Sequence, residues 1–370
     1  MLDVAVVGAG PIGLYIAANI AKEGYEVAVF EEHSEIGVPT HCSGLFSTRI
    51  FDIVGKFAVL HPAKRARIFA PNGSVLHIGD SRIHGYVVDR VEFDRKLASM
   101  AIKNGADIFL KERVKKIKYP AIQTWNRAWK AKIIVGADGI NSVVRRSLNV
   151  KAQKLIGAAQ VVAKYDFEDV EGVDIFVGNK IAPGFFGWVI PLEEGLARIG
   201  VASYGNSWSN LRVLLNRLNA KPLSIGGGGI PIGTVTRTHF RGIILVGDAA
   251  GQVKATSGGG VYPGLRAAQC AVSALKKALE MGDFENLEEY ERCWKRTIGK
   301  ELANALKIHK FYRKLTDEDF NQLILQLSKK DNVDIINRYG DIDYPSRVAW
   351  KLFRKNPRLL KYLGVVLRQG

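Results

Sequence analysis

The chain has 370 residues, of which 47% are hydrophobic, so it is long enough to bury one large core or two medium ones. Its formal net charge is +17, but no nucleic-acid recognition motif accompanies that charge, which argues against a nucleic-acid partner. A strand begins at residue 2, no signal segment is recognisable, and no apolar stretch is long enough to span a bilayer. We therefore expect a soluble, cytoplasmic protein.

A glycine-rich turn separates the first predicted strand from the first predicted helix. Apolar residues 4–7 are typical of a short buried strand, and residues 14–22 have a helical pattern. Between them, Gly8 permits a tight turn, Gly10 lets the backbone approach a pyrophosphate, and Gly13 allows close packing of helix on strand. The positive N-terminus of the helix would then bind the phosphates.

An acidic residue follows the second predicted strand, at residues 26–30. This residue, Glu31, lies 18 positions after Gly13, where a carboxylate accepts hydrogen bonds from the ribose of a dinucleotide. We place the neighbouring Glu32 in the same site. The turn and the acid fit NAD and FAD equally, so the choice of cofactor depends on later motifs.

Short strands are predicted in the middle of the chain. A helix through residue 102, with Asp89 as its N-cap, follows the first group of strands. We expect the second group to form one wall of a substrate cavity. Four consecutive glycines, 226–229, precede strand and turn residues rather than a helix, so we expect a loop there and no separate NAD(P) domain. The two groups of strands are 66–70, 75–78 and 85–88, then 160–167, 174–177, 185–190 and 197–202.

Two later glycine motifs distinguish FAD from NAD. Asp138-Gly139 lies in mid-chain, where it is also typical of a plain turn that closes a strand. Asp248 follows a predicted strand at 243–246 and is placed to bind ribityl or phosphate-proximal hydroxyls. We expect a helix to begin at Ala249, with its dipole toward the cofactor.

The three motifs, in this order, resemble those of the FAD-dependent oxidoreductases with the p-hydroxybenzoate hydroxylase fold, from residue 1 to about residue 279. The resemblance implies FAD and an α/β fold with a Rossmann-type FAD-binding domain, an inserted antiparallel sheet in an α+β substrate part, and a C-terminal helical region. We place Arg90 and Val114 in the FAD site as well. The predicted boundaries are 1–60, 89–150 and 236–282 for the FAD-binding domain, 61–88 and 151–235 for the substrate domain, and 283–370 for the basic helical region.

Two local sequences resemble the geranylgeranyl reductase family. Residues 39–44, with Cys42, are similar to its Pro-x-x-Cys-x-Gly loop, and Phe186-Gly-Trp188-Val-Ile190-Pro resembles its cavity strand, although Phe186, Ile190 and Leu192 replace that strand's tyrosine, phenylalanine and lysine. Glycines 258–260, namely Gly258, Gly259 and Gly260, are similar to its glycine triplet under the flavin ring.

This resemblance implies an enzyme that saturates the C=C bonds of geranylgeranyl or related isoprenoid chains, including those of archaeal-type membrane lipids. Cys42 would then be the proton donor beside the flavin, with a buried inert thiol as the alternative. Phe186, Trp188 and Ile190 share one strand face and would bind the substrate, with ordinary core packing as the alternative. An electron donor, either a reduced nicotinamide or a ferredoxin, would also be needed.

Two other functions remain open from the sequence. Phe186-Gly-Trp188-Val-Ile190-Pro is also similar to the Trp-x-Trp-x-Ile-Pro stretch of flavin-dependent halogenases, which makes an aromatic monooxygenase or halogenase an alternative. A non-catalytic prenyl-binding escort, like the Rab GDP-dissociation inhibitors, would have a related architecture. An intact set of cofactor motifs favours an enzyme over an escort.

The remaining signals concern the cysteines and the C-terminus. Cys42, Cys270 and Cys293 have the spacing of neither a disulfide framework nor a zinc site, so we expect no disulfide, no metal and a reducing cytosol. After Pro345 the chain has basic and apolar residues at helical spacing and no acid. That tail predicts either peripheral binding to an anionic membrane at its inner face or a helix pair docked on the body. Its cations are Arg347, Lys351, Arg354, Lys355, Arg358, Lys361 and Arg368.

Overall fold

The computed structural model describes residues 1–285 and 287–356. Its helices, in chain order, are α1 (Pro11–Ala21), α2 (Thr48–Val54), α3 (Arg90–Lys103), α4 (Val143–Ser147), α5 (Ser207–Leu218), α6 (Val261–Met281), α7 (Glu288–Trp294), α8 (Lys300–Tyr312), α9 (Asp317–Leu327), α10 (Lys330–Tyr339) and α11 (Pro345–Lys355). Its strands are β1 (Leu2–Val7), β2 (Val27–Phe30), β3 (Leu45–Ser47), β4 (Val59–Ala63), β5 (Arg65–Phe69), β6 (Val75–Gly79), β7 (Gly85–Val88), β8 (Asp107–Phe109), β9 (Val114–Lys118), β10 (Ala121–Thr124), β11 (Ala128–Gly136), β12 (Lys154–Lys164), β13 (Gly172–Val177), β14 (Phe186–Glu193), β15 (Leu196–Ser203), β16 (Lys221–Ile232), β17 (His239–Phe240) and β18 (Ile243–Leu245).

The first sheet is built around β1, which pairs in parallel with β2 and β11. Its main strand order is β17-β18-β11-β1-β2-β8, and the β9–β10 hairpin joins it through β11. Successive side chains of a strand point to opposite faces. Val4 and Val6 therefore pack in one core with α1, α3 and α6, while Ala5 and Val7 pack in another with the hairpin and α4. The parallel arrangement brings the carboxyl ends of β1, β2, β11 and β18 to one edge, where a dinucleotide binds in such sheets.

The second sheet has the order β16-β12-β15-β14-β13-β5-β6. All of its neighbouring pairs are antiparallel except β13 with β5. Helix α5 packs on one face through Leu211 and Leu214. A small third sheet has the order β3-β7-β4. The predicted fold class is thus confirmed: a mixed α/β protein with a Rossmann-type sheet, an antiparallel sheet and C-terminal helices.

The prediction of a loop at the four glycines is wrong. Residues 226–229 lie inside β16 and pair with β12, from Gly226 opposite Gln160 to Gly229 opposite Gly157. Glycine has a low preference for strands because it loses much conformational entropy and has no side chain to pack. Pairing with β12 outweighs that local preference, which sequence reasoning did not anticipate.

The C-terminal helices pack on both sheets and on each other. On α11, Leu352 is buried against Ile335 of α10. This helix is therefore docked on the body, which agrees with one of the two alternatives predicted for the tail. The tail cations Arg358, Lys361 and Arg368 lie outside the described residues. None of the described helices is long and apolar enough to cross a membrane.

The prediction that no cysteines pair is also wrong. Cys270 on α6 and Cys293 on α7 form a disulfide, with their Cα atoms 5.7 Å apart, whereas Cys42 is a free thiol. The two cysteines meet because α6 and α7 pack against each other, which a sequence separation of 23 residues does not reveal. The inference of a reducing compartment therefore loses its basis.

Candidate functional site

The turn between β1 and α1 has the geometry of a phosphate-binding turn. Gly8 has φ +100°, and a Cβ there would lie 2.5 Å from the carbonyl oxygen of Ala137. A Cβ on Gly13 would clash with the Gly8 carbonyl oxygen, so these two glycines allow the close packing of strand, turn and helix. Gly10 differs, because no described atom lies within 4 Å of its Cβ position. Helix α1 begins there with Pro11 and without a side-chain cap, so the N–H groups of its first turn have no side-chain partner among the described residues.

Glu31 is fixed at the end of β2 beside this turn. One carboxylate oxygen accepts a hydrogen bond from the Ala9 N–H at 2.8 Å, and the other accepts from the His33 N–H at 2.9 Å. A carboxylate oxygen has a second lone pair, so Glu31 can still accept a ribose hydroxyl. Glu32 points elsewhere and forms an exposed ion pair with Arg113 at 3.1 Å.

The carboxylate of Asp138 is hydrogen-bonded to residues at the start of α4. It accepts hydrogen bonds from the Ser142 hydroxyl at 2.5 Å and the Val143 N–H at 2.6 Å, at the start of α4. Burial raises the pKa of Asp138, and these hydrogen bonds counteract part of that effect. Gly139 has φ +68° and no described atom within 4 Å of its Cβ position. This motif is therefore open to a ligand at Gly139, whereas the Asp138 carboxylate is already hydrogen-bonded within the protein.

Asp248 lies in a 3-10 helix, Gly247–Ala250, and the long helix α6 begins only at Val261. The prediction of a helix from Ala249 is wrong, because Gly251, with φ +68°, ends the short helix. No hydrogen bond from a described residue reaches the Asp248 carboxylate. Burial raises its pKa to about 6, although Arg90 has a lowering effect. A half-buried carboxylate without a donor among the described residues is suited to accept hydroxyls of a bound group.

The glycine triplet leads directly into α6. Gly260 is the N-cap of this helix, which has no side-chain cap among the described residues. A Cβ on Gly260 would lie 2.8 Å from an Asp248 carboxylate oxygen, and one on Gly258 would lie 2.8 Å from Ile230. A Cβ on Gly259 would lie 3.0 Å from the Lys254 side chain. The triplet therefore keeps the backbone close to Asp248 and leaves a second helix N-terminus free for a ligand.

The loop that carries Cys42 is held from the second sheet. The Gln160 side-chain amide donates to the Cys42 carbonyl oxygen at 3.2 Å, and the Arg198 guanidinium donates to the Ser43 carbonyl oxygen at 2.6 Å. The Cys42 sulfur itself accepts a hydrogen bond from the Gly44 N–H at 3.4 Å. Strands β12 and β15 thus set the position of a thiol that belongs to the first half of the chain.

Two guanidinium groups, those of Arg90 and Arg198, lie near the Cys42 thiol. Burial lowers the pKa of Arg90, but the Asp94 carboxylate and the Cys42 side chain raise it above its ordinary value. Burial lowers the pKa of Arg198, and Cys42 again has a raising effect. Arg90 also interacts with Asp248. The structure therefore brings Cys42, Arg90, Arg198 and Asp248 into one electrostatic cluster.

The three predicted wall residues share one face of β14. Phe186, Trp188 and Ile190 belong to a single apolar cluster, and Trp188 and Ile190 are 8% and 2% exposed. Gln160, Gly200 and Trp188 are paired in a row across β12, β15 and β14. The Trp188 ring occupies the space above Gly200, which has no side chain. This row places the apolar wall two strands from the residue that holds the Cys42 loop.

Sequence reasoning missed several residues of this site. Gln160 and Arg198 are polar residues inside otherwise apolar strands. This break in the apolar pattern was the feature of the sequence that could have indicated a functional role. Lys254 forms a buried ion pair with Asp343 at 2.8 Å beside the glycine triplet, and nothing local links residues so far apart in sequence. Val114, predicted to contact FAD, has its side chain in the core of the first sheet.

Two clefts occur at other places on the surface. One, of about 240 Å³, lies between residues 233–234 and the start of α8. The other, of about 380 Å³, is lined by the ion pairs of Arg65 and Arg67. Neither cleft is lined by Cys42, Asp248 or the glycine turns.

These features fit FAD. The open space at Gly10 and the free N-terminus of α1 suit a pyrophosphate, Glu31 suits a ribose, and the donor-free Asp248 carboxylate suits further hydroxyls. The family model described as an FAD binding domain matches residues 1–210. The protein is an FAD-dependent oxidoreductase.

Full-length relatives define the family more narrowly. The chain is 32% identical to a digeranylgeranylglycerophospholipid reductase of Methanosarcina acetivorans, with 100% of this chain and 97% of the relative covered. It is 31% identical to the protein of that name from Methanothrix thermoacetophila, with 97% of each covered. A solved structure, a geranylgeranyl bacteriochlorophyll reductase-like protein from Thermoplasma acidophilum, has a TM-score of 0.88 and 25% identity over 98% of each chain. The chain belongs to the geranylgeranyl reductase family.

Proposed function

We propose that this protein saturates the C=C bonds of geranylgeranyl chains in archaeal-type membrane phospholipids, with Cys42 as the proton donor. The observation that carries the proposal is the position of the free Cys42 thiol beside Arg90 and Arg198, on a loop held against the apolar sheet. The names of the full-length relatives support the substrate class.

The chemistry requires both a hydride and a proton. FAD, once reduced, supplies the hydride. An isolated alkene is not polarised, so a proton must reach the neighbouring carbon in an oriented site that excludes water. The Cys42 thiol can donate that proton, and a thiolate remains. Arg90 and Arg198 stabilise the negative charge as it develops on sulfur, which lowers the barrier to proton donation.

Residues of the first sheet hold the cofactor in this proposal. The Gly8-Ala-Gly10 turn and the N-terminus of α1 bind the pyrophosphate, and Glu31 binds the ribose. Asp248 accepts hydroxyls, while Gly139 and the glycine triplet give the cofactor close access to the backbone. The prediction that Glu32, Arg90 and Val114 contact FAD directly remains a prediction.

The substrate chain lies along the second sheet. Phe186, Trp188 and Ile190 form an apolar wall, and apolar burial is the interaction an isoprenoid chain offers. After each reduction of a double bond the cofactor needs two electrons, which a reduced nicotinamide or a ferredoxin would supply. The halogenase and escort alternatives have less support, because the full-length relatives named above are reductases.

The experiment that tests this function uses protein reduced anaerobically with dithionite. A digeranylgeranylglycerophospholipid in detergent should reoxidise the protein, and mass spectrometry should show a gain of two hydrogens for each double bond. Cys42→Ala should bind the lipid with unchanged affinity but reduce it at least tenfold more slowly, because the proton donor is lost. Cys42→Ser keeps the shape with a much weaker acid and should be similarly slow.

Ser43→Ala is the matched control, since it alters the next residue of the loop without touching the thiol. It should react at the wild-type rate. A wild-type rate in Cys42→Ala would show that the thiol is structural. Failure of the lipid to reoxidise the protein, together with oxygen-dependent modification of an aromatic compound, would establish the monooxygenase or halogenase alternative.

A further inference from the structure

One edge of the second sheet carries large apolar side chains in water. On the edge strand β16, Leu223 and Ile225 are 57% and 77% exposed. Trp208, at the start of α5, is 42% exposed, and Leu155 on β12 is 45% exposed. We call these four residues the β16 rim. Exposed apolar residues that cluster in this way mark an interaction surface.

The glycines of β16 bring the rim residues together. A Cβ on Gly227 would lie 3.1 Å from the Trp208 ring, and one on Gly229 would lie 3.4 Å from the Leu155 side chain. Because the glycines have no side chains, Trp208 and Leu155 lie close to the backbone of the strand. The rim is therefore a continuous surface along β16.

The same strand touches the Cys42 loop on its other face. A Cβ on Gly226 would lie 3.2 Å from the Thr40 carbonyl oxygen, and one on Gly228 would lie 3.7 Å from His41. Only the thickness of one strand separates the rim from the loop that carries the thiol. A lipid that approaches the rim is thus next to the proposed reaction site.

The strands and the helix that form the rim carry cations and no carboxylate. Residues 139–165 and 195–247 contain no Asp or Glu, and these two stretches supply β12, β15, β16 and α5. Lys154, Arg212 and Lys221 are exposed cations next to the rim. Arg212 lies one helical turn after Trp208 and therefore on the same side of α5. Exposed apolar side chains on elements that carry cations and no carboxylate are complementary to an anionic surface with an apolar interior.

We propose that the β16 rim rests on an anionic lipid bilayer and directs the membrane-embedded chain toward Cys42. The inference deepens the proposed function and rests on it, since only a lipid substrate requires this contact. Apolar side chains at the headgroup level together with cations near anionic lipids are the two contributions to interfacial binding. Pairing of β16 with a second copy would instead bring two sets of cations together, which is unfavourable.

Vesicle sedimentation tests the proposal with the FAD-loaded full chain. We expect binding to phosphatidylglycerol vesicles, loss of that binding at high salt, and little binding to phosphatidylcholine. Leu223→Ser/Ile225→Ser should weaken binding about tenfold because two exposed apolar anchors are removed. Arg212→Gln/Lys221→Gln should weaken it about tenfold or more, since each cation near the surface contributes about fivefold. All four positions are exposed, so the variants should fold and retain FAD.

Two matched controls separate the rim from other exposed apolar residues. Ile102 on α3 is 59% exposed and Trp350 on α11 is 64% exposed. Ile102→Ser and Trp350→Ser should leave vesicle binding unchanged. Loss of binding only in Trp350→Ser would overturn the proposal in favour of the C-terminal helix. A wild-type dimer in light scattering that the rim variants dissociate would assign the surface to a second copy.

Two forms of substrate distinguish failure of the rim from failure of the proposed function. Rim variants should reduce detergent-dispersed lipid at the wild-type rate but reduce lipid in phosphatidylglycerol vesicles at least tenfold more slowly. If wild-type protein reduces neither form, the proposed function is wrong. If the variants match wild type on both forms, the function stands and the rim is not the membrane contact.

Discussion

The side-chain amide of Gln160 donates a hydrogen bond to the backbone carbonyl of Cys42, although 118 residues separate them. Gln160 is 6% exposed and lies on β12 of the second sheet. The loop after β2 is thus attached to the wall of the proposed cavity. This contact sets the distance between the thiol and the apolar surface, which no feature of the loop alone determines.

Gln160→Leu should lower kcat about fivefold with KM nearly unchanged, because a hydrogen bond of about 1 kcal/mol that positions the thiol is lost. Steady-state kinetics with detergent-dispersed lipid measure kcat and KM separately. Gln322→Leu, which removes an exposed side-chain amide that is hydrogen-bonded to Glu318 on α9, serves as the control and should have no effect. An unchanged kcat in Gln160→Leu would mean that Arg198 and the loop backbone suffice to hold Cys42.

Gly10→Ala should fold normally but bind FAD much more weakly. The backbone at Gly10, with φ −75° and ψ 173°, is open to any residue, and the added Cβ meets no described protein atom. It would occupy the space assigned to the pyrophosphate. Flavin absorbance after gel filtration and the thermal midpoint of the apoprotein are the two measurements. Gly10→Glu should abolish FAD binding, and full flavin occupancy in Gly10→Glu would refute the assignment of the turn.

Asp248→Asn should stabilise the apoprotein at pH 7 while weakening FAD binding. Burial raises the pKa of Asp248 to about 6, so the folded state binds this proton more tightly than the unfolded state. The free energy of unfolding contributed by Asp248 therefore increases as pH falls from about 6 to about 4, and the ionised group costs up to about 3 kcal/mol at neutral pH.

Urea unfolding of apo wild type and Asp248→Asn between pH 4 and 8 tests this sign. The difference between the two proteins isolates Asp248 from other groups, such as His309, whose pKa burial lowers to about 4. The stabilisation by Asn should be greatest above pH 6 and should disappear near pH 4. Asp107→Asn, at an exposed position on β8, should not change the profile. A stabilisation independent of pH would contradict the assignment.

Lys254→Met should destabilise the protein by about 3 kcal/mol, because it removes the cation that lies 2.8 Å from the buried Asp343 carboxylate and leaves the Arg49 guanidinium, 3.5 Å away, as the remaining described partner. The side chains of Lys254 and Asp343 are 5% and 0% exposed. Lys254→Met/Asp343→Leu should recover most of the loss, because neither charge is then buried. Lys277→Met, which breaks an exposed pair with Glu289, should cost less than about 1 kcal/mol. Chemical denaturation measures all three variants, and equal losses for Lys254→Met and Lys277→Met would refute the prediction.

Local motifs were the predictable part of this protein. Gly8, Gly10, Gly13 and Glu31 follow from steric and hydrogen-bonding requirements that act within one strand-turn-helix-strand unit. The Asp89 cap of α3 is another local feature, and its side chain does accept from the Val91 and Glu92 N–H groups. Such features are readable because the residues that satisfy each other are close in sequence.

Features that depend on distant partners were not predictable. The four glycines of β16 form a strand only because β12 pairs with them, and Cys270 and Cys293 bond only because α6 packs on α7. Asp138 is in the expected motif, yet its carboxylate is used by α4.

The sequence by itself determined the cofactor class, the family and the thiol to test, because each rests on short motifs whose chemistry is local. The tertiary structure decided what surrounds that thiol. Arg198 and Gln160 on the second sheet and Arg90 at the start of α3 converge on Cys42, and the bare backbone of β16 separates its loop from an apolar, basic rim. Electrostatic and packing interactions act through space, so only the folded chain shows which groups meet.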